Sequence, residues 1–397
     1  MGKNLRTHSQ HNPLNIQFPA KDKNSMNTTS TSITRRQALK SVTIAALGAG
    51  LAGRLAAQDA NAAKPDAAAS TPRMPDSPWA AVRGFNYQPS YGSTGFELWQ
   101  KFDPKTIETE LARGKRFFPK MNALRVWLSW DSFKYDPKRF AANFEAMLAL
   151  HHKHDLKVMP VLFNRWHDSL IDYGGIYIDH FQPLTGWGDN TKKFEAYLEA
   201  IVGGHKDDPR IMCWDLCNEP FSYKLPPDSE IVKAEFAWLK SLYGYCKKIG
   251  AKAPITVGIH PNHGRKGIEE IEPISDFLSI HPYWIPPANN ADDAKSRSRF
   301  ERLLDDYVSF GVKVGKPLLA NETCWGSLDD AQRVEIVRYT LTHLKQRNIG
   351  WMAYLLHHSL IADAHRAEFA PVGYAGNLAF IEADGSLRPG HEAFNEF

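Results

Sequence analysis

Eight short apolar runs alternate with amphipathic stretches over the last 320 or so residues of this 397-residue chain, and that order constrains the fold more than any other feature. The runs are VRGFNY (from Val82), NALRVWL (from Asn122), LKVMPVLF (from Leu156), IMCWDL (from Ile211), PITVGI (from Pro254), DFLSIH (from Asp276), PLLANE (from Pro317) and GWMAYLL (from Gly350). Between them lie segments such as RFAANFEAMLALHHKH, TKKFEAYLEAIVGGH, AEFAWLKSLYGYCKKIG and AQRVEIVRYTLTHLKQRN, whose apolar residues recur at helical spacing of three and four. Continuous apolar strands suit a parallel sheet covered on both faces. Eight strand–helix units predict an α/β fold, a (β/α)8 TIM barrel in one domain over 78–397. A doubly wound sheet is the alternative, but GFNYQPSYGSTG after the first run lacks the G-x-G-x-x-G of a dinucleotide loop.

The formal charge of +4 comes from the leader. Residues 1–63 hold eight Lys/Arg and two acids, leaving 40 bases and 42 acids in the remainder. That near-neutral body gives no basis for nucleic-acid binding. Arg35-Arg36 precede a short run of small apolar residues, and ANAAKP follows with small residues at cleavage-site spacing. The segment resembles a twin-arginine export signal, although Ala38 stands where a larger apolar residue is usual. That resemblance implies a periplasmic or secreted protein with no stable membrane insertion after the signal is removed. Residues 64–77, rich in Ala, Pro, Asp and Ser, read as a linker. Cys213, Cys217, Cys246 and Cys324 form no Cys-x-x-Cys pair and are expected as buried free thiols.

Two of the apolar runs end on an ionisable pair. The fourth closes on Asn218-Glu219-Pro220 and the seventh on Asn321-Glu322, with Trp325 close behind. A barrel places its active site at the C-terminal ends of the strands. Both glutamates are therefore expected at one mouth, with Pro220 holding Glu219 extended at the rim. Paired carboxylates across a cleft suit cleavage of a glycosidic bond, one protonated to assist the departing oxygen and one ionised to attack the anomeric carbon.

The order and content of these strand ends resemble the clan A glycoside hydrolases, most closely family 5, the cellulase and mannanase type. The resemblance spans nearly all of 78–397. It rests on Arg125 in LRVWLSW, Asn218-Glu219 in CNEP, His281 and Tyr283 in HPYW, and Glu322 in ANETCW. It implies Glu219 as acid/base and Glu322 as nucleophile, with Asn218 on the sugar 2-hydroxyl. Arg125 and Tyr283 would hold Glu322, and His281 would bond near the pair. Arg125 is expected to lower the Glu322 pKa, and the Glu322 charge to raise that of Glu219. Retention of configuration and a carboxyl separation of roughly 5–5.5 Å follow.

Trp166, Trp284, Trp325 and Tyr354 fall near strand ends, where flat rings suit the C–H faces of sugars. Tyr354 occupies the place where many family members carry Trp. His167 on the strand-three end and His357 after strand eight are further candidates for sugar contacts. His151, His152 and His154 are expected to face solvent. GFNYQ carries no His-x-His, so no catalytic metal and no cofactor are expected. The expected partner is a β-linked glycan. A non-catalytic carbohydrate-binding barrel and a transglycosylase using the same residues are the competing readings.

Overall fold

The computed structural model describes residues 71–165, 191–221, 226, 228–287, 292–363 and 375–397. Eight parallel strands close into a barrel in chain order: β1 (Arg83–Tyr87), β2 (Ala123–Trp127), β3 (Lys157–Asn164), β4 (Trp214–Asn218), β5 (Ile255–Ile259), β6 (Leu278–Ile280), β7 (Leu318–Thr323) and β8 (Gly350–Ala353). β8 pairs back onto β1 through Arg83↔Trp351 to Phe85↔Ala353. Each apolar run singled out in the sequence supplies one strand.

The intervening helices start where local chemistry satisfies their first N–H groups. Asp103 and Asp136 cap the helices Pro104–Phe117 and Pro137–Lys153, each with proline in the first turn. Ser229 and Asp329 cap Glu230–Lys248 and Asp330–Gln346. The segment 191–205 departs from one regular helix: it winds through short turns and widens to π geometry over Glu199–Gly203.

Inside the barrel, Val82, Ala123, Met159, Cys213, Phe277, Leu319 and Met352 form an apolar floor. The turn Pro78–Ala81 lies beneath it, and Trp79 stacks on Phe277 with ring centroids 3.8 Å apart. Two residues further along their strands stand Arg125, Asp215 and Asn321, so the interior turns from apolar to polar in one step toward the C-terminal face.

Residues 71–77 do not behave as a linker. Met74 is buried against the core, its N–H donates to Arg347 O at 3.0 Å, and the Asn348 amide donates to Met74 O. The barrel therefore extends upstream of Pro78. The export leader and residues 64–70 lie outside the described residues. The four cysteines are buried and free. His151 is wholly buried, with Nδ1 2.7 Å from Met147 O, because it sits on the inner face of its helix against Tyr87. Among the described residues no helix is long and apolar enough to cross a membrane.

Candidate active site

Successive residues of a regular strand face opposite sides of a sheet. At the tips of β4 and β7 they do not. β4 sets the four residues from Asp215 to Asn218 against the three from Thr256 to Gly258 on β5. β7 likewise sets the four residues from Ala320 to Thr323 against the three from Trp351 to Ala353 on β8. One extra residue in each strand breaks the alternation just below a glutamate. Asn218-Glu219 and Asn321-Glu322, neighbours in sequence, thereby face one interior. Glu219 completes the turn with φ of +45°, in the left-handed region rather than the extended conformation expected before proline. Holding a non-glycine residue there costs on the order of 1–3 kcal/mol, a strain that the surrounding contacts must offset.

Arg125, fully buried on β2, organises the base of the site. Its Nη1 donates to Glu322 Oε2 at 2.7 Å and to Asn86 Oδ1 at 3.0 Å. Nε and Nη2 donate to Asp215 Oδ2 at 3.1 and 2.8 Å, and Nη2 also reaches Asn218 Oδ1 at 2.6 Å. The planar fork thus fixes two carboxylates and two amides at once. Asn218 is held from its other end, its amide donating to Asn164 Oδ1 at 2.8 Å. Tyr283 donates its hydroxyl to Glu322 Oε1 at 2.8 Å. His281 Nδ1 lies 2.6 Å from Glu219 Oε1 and 3.9 Å from Glu322 Oε2. Glu219, His281 and Glu322 each offer an atom within 4.8 Å of the others.

Gly258 on β5 makes room for this cluster. Its N–H donates to Asp215 and its carbonyl accepts from the Glu219 N–H. A Cβ there would fall 2.7 Å from His281 Nε2 and 3.2 Å from Asp215 Oδ2.

Burial pushes the Glu219 carboxyl well above the ordinary range, and the Glu322 charge pushes it further. Glu322 is also raised, by burial, against the opposing pull of Arg125 and Tyr283. Arg125 lowers the Glu322 pKa in the expected direction, but desolvation, which the sequence does not reveal, outweighs the guanidinium. The order within the pair still places the proton on Glu219: the Glu322 charge adds to the upward push of burial there, whereas direct bonds from Arg125 and Tyr283 pull Glu322 back down. Burial, with Arg125 nearby, drives the His281 pKa far down, so its imidazole is neutral and leaves Glu219 its proton.

Glu219, His281 and Glu322 could in principle ligate a metal. Both oxygens of Glu322 already accept hydrogen bonds, one from a guanidinium whose charge repels a cation. The cluster fits a proton-sharing pair better than a metal. Glu145, His205 and Asp208 also approach one another, but Arg210 bridges the two acids.

The carboxylates open into a cleft of about 380 Å³. Tyr283, Trp325, Tyr354, Trp127 and Gln88 line one part of it, and His260, Asn262, Ile285, Arg299 and Leu303 another. Trp325 and Tyr354 thus stand where the sequence reading puts them. Trp284 does not: it is buried against Tyr339 and beneath Arg297, with its indole N–H on Ser296. One residue beyond Tyr283, it points to the opposite side of the chain. His357 is buried too, with Nε2 3.3 Å from Arg113 and Nδ1 3.6 Å from Glu110, away from the cleft. Trp166 and His167 lie outside the described residues. Sequence reasoning missed Asp215 and Asn86. The signal was available: an acid and an amide within apolar runs must find buried partners.

A (β/α)8 barrel with two carboxylates on the ends of β4 and β7, bridged by a buried arginine, defines a protein of the glycoside hydrolase type. The chain matches the Cellulase family (glycosyl hydrolase family 5) over residues 88–359, and it belongs to that family. It is 25% identical over 234 residues to mannan endo-1,4-beta-mannosidase 7 of Oryza sativa subsp. japonica, covering 48% of this chain and 59% of that protein. It is 30% identical over 112 residues to mannan endo-1,4-beta-mannosidase F of Aspergillus clavatus, covering 27% and 24% respectively. The matched stretches thus span little more than half the length of these relatives, or less. An exo-beta-1,4-mannosidase from an Opitutaceae bacterium shares the fold, with a TM-score of 0.61 at 18% identity over 79% of this chain and 58% of that one.

Proposed function

We propose that this protein is a retaining β-glycoside hydrolase acting by double displacement, with Glu219 as acid/base and Glu322 as nucleophile. The observation that carries this reading is the approach of Glu219 and Glu322 to within 4.8 Å across the barrel mouth, with only Glu322 bonded to Arg125. Inverting enzymes need room for a water between the carboxyls, roughly 6.5–9.5 Å.

In the first step a Glu322 oxygen bonds to the anomeric carbon as the glycosidic C–O bond breaks, and Glu219 gives its proton to the departing oxygen. In the second, Glu219 takes a proton from water, the water oxygen bonds to that carbon, and Glu322 is released. Asn218, clamped between Arg125 and Asn164, stands ready to bond the 2-hydroxyl as positive charge develops on the ring. Trp325, set edge-on to Tyr283, offers an apolar face for the sugar.

The similarity to mannan endo-1,4-beta-mannosidases supports a β-1,4-mannan or its oligosaccharides as substrate. Proton NMR of the first product tests the mechanism: the β-anomer is expected, and an α-anomer appearing first overturns it. Glu219→Gln is expected to slow hydrolysis by about 10²–10⁴-fold, with the smallest loss on aryl glycosides whose leaving group needs no proton. Export through the Arg35-Arg36 leader belongs to the same proposal. Changing both arginines to lysine should hold the protein in the cytoplasm, and unaltered export would refute that part.

A further inference from the structure

Gln88 follows β1 and is 2% exposed, yet it lines the cleft. Its carbonyl is committed: Oε1 accepts the Tyr354 hydroxyl at 3.3 Å, and Ser359 Oγ lies 3.5 Å away. Its amide nitrogen bonds to none of the described residues and is not sealed from solvent. A buried amide anchored by its oxygen presents its N–H groups to whatever fills the cavity.

The position of that donor says which sugar meets it. Glu219 protonates the departing oxygen, so the leaving group lies on the β4 side of the mouth. The glycone, whose anomeric carbon Glu322 attacks, lies across the barrel, where β8, β1 and β2 end in Tyr354, Gln88 and Trp127. We propose that Gln88 is a specificity-determining residue that donates a hydrogen bond to one hydroxyl of the glycone sugar, remote from the anomeric centre. Tyr354 then has two tasks, walling the subsite with its ring and fixing the Gln88 amide with its hydroxyl. This inference rests on the hydrolase reading above.

The test compares kcat/KM for an aryl β-mannoside and for its 3-, 4- and 6-deoxy analogues. Gln88→Ala should reduce kcat/KM on the parent glycoside roughly tenfold or more, the loss expected when one hydroxyl and its donor part company. Wild type should lose a similar factor on one deoxy analogue, and on that analogue alone Gln88→Ala should cost little. Gln88→Glu keeps an acceptor for Tyr354 and Ser359 but removes the donor, so it guards against a merely misfolded alanine variant and should show the same pattern. Equal losses on the parent and every analogue, or full parent activity in Gln88→Glu, overturn the role of Gln88. A wild type inactive on every β-glycoside offered instead overturns the hydrolase reading itself.

Discussion

Arg125 is the residue on which both the chemistry and the stability of the site depend. It pairs with both Glu322 and Asp215 from one buried position, and Asp215 remains inside whatever replaces the guanidinium. Arg125→Met is expected to cost about 3–5 kcal/mol of stability, because a buried acid is left without its partner; chemical denaturation measures this. The sign of its pH effect is also fixed. Arg125 opposes the upward push of burial on Glu322, so its loss raises that pKa further. The acidic limb of the kcat/KM profile must then move to higher pH, and a limb that stayed in place would detach Glu322 from it. Arg125 and both glutamates were legible in the sequence by type and strand end. Asp215 was not singled out: an acid within IMCWDL signals a buried partner, but not that the partner is an arginine shared with a residue 107 positions away. The upward shift of Glu322 was equally hidden, because it depends on how far the mouth excludes water.

The strands were legible as elements, and their irregularities were not. Periodicity predicts a strand from an apolar run, but the extra residue in β4 and in β7 leaves no mark in composition. Strict alternation from Leu319 and Asn321 would turn Glu322 outward, and only the register shift brings it to the cleft. β5 answers with Gly258, the position that cannot carry a side chain without meeting His281. Gly258→Ala is expected to fold with a loss of about 1–3 kcal/mol from overpacking, and to lose kcat far more than binding. An alanine variant with unchanged kcat would show that the cluster tolerates displacement. At the N-terminal edge, the Ala- and Pro-rich composition suggested a linker where Met74 in fact packs on the barrel. Met74→Ala should lower stability by roughly 2 kcal/mol, the low end for a buried methionine at the periphery, and leave kcat untouched. No shift in the denaturation midpoint would return that segment to the status of a tether.

Taken as a whole, the molecule is a barrel whose apolar floor supports a polar layer, which in turn supports two carboxylates. The order of elements, the closed topology and the family were all readable from the chain, because parallel strands buried on both faces leave a strong pattern. The division of the mouth was not readable, since it depends on which rings turn inward: Tyr354 and Trp325 do, and Trp284, beside Tyr283, does not. The central claim is that Glu322 attacks carbon while Glu219 handles the proton. Incubation with a 2-deoxy-2-fluoro-β-mannoside carrying a good leaving group should add one sugar to the intact protein, and peptide mapping should place it on Glu322. A label on Glu219, or on any other residue, would contradict the account.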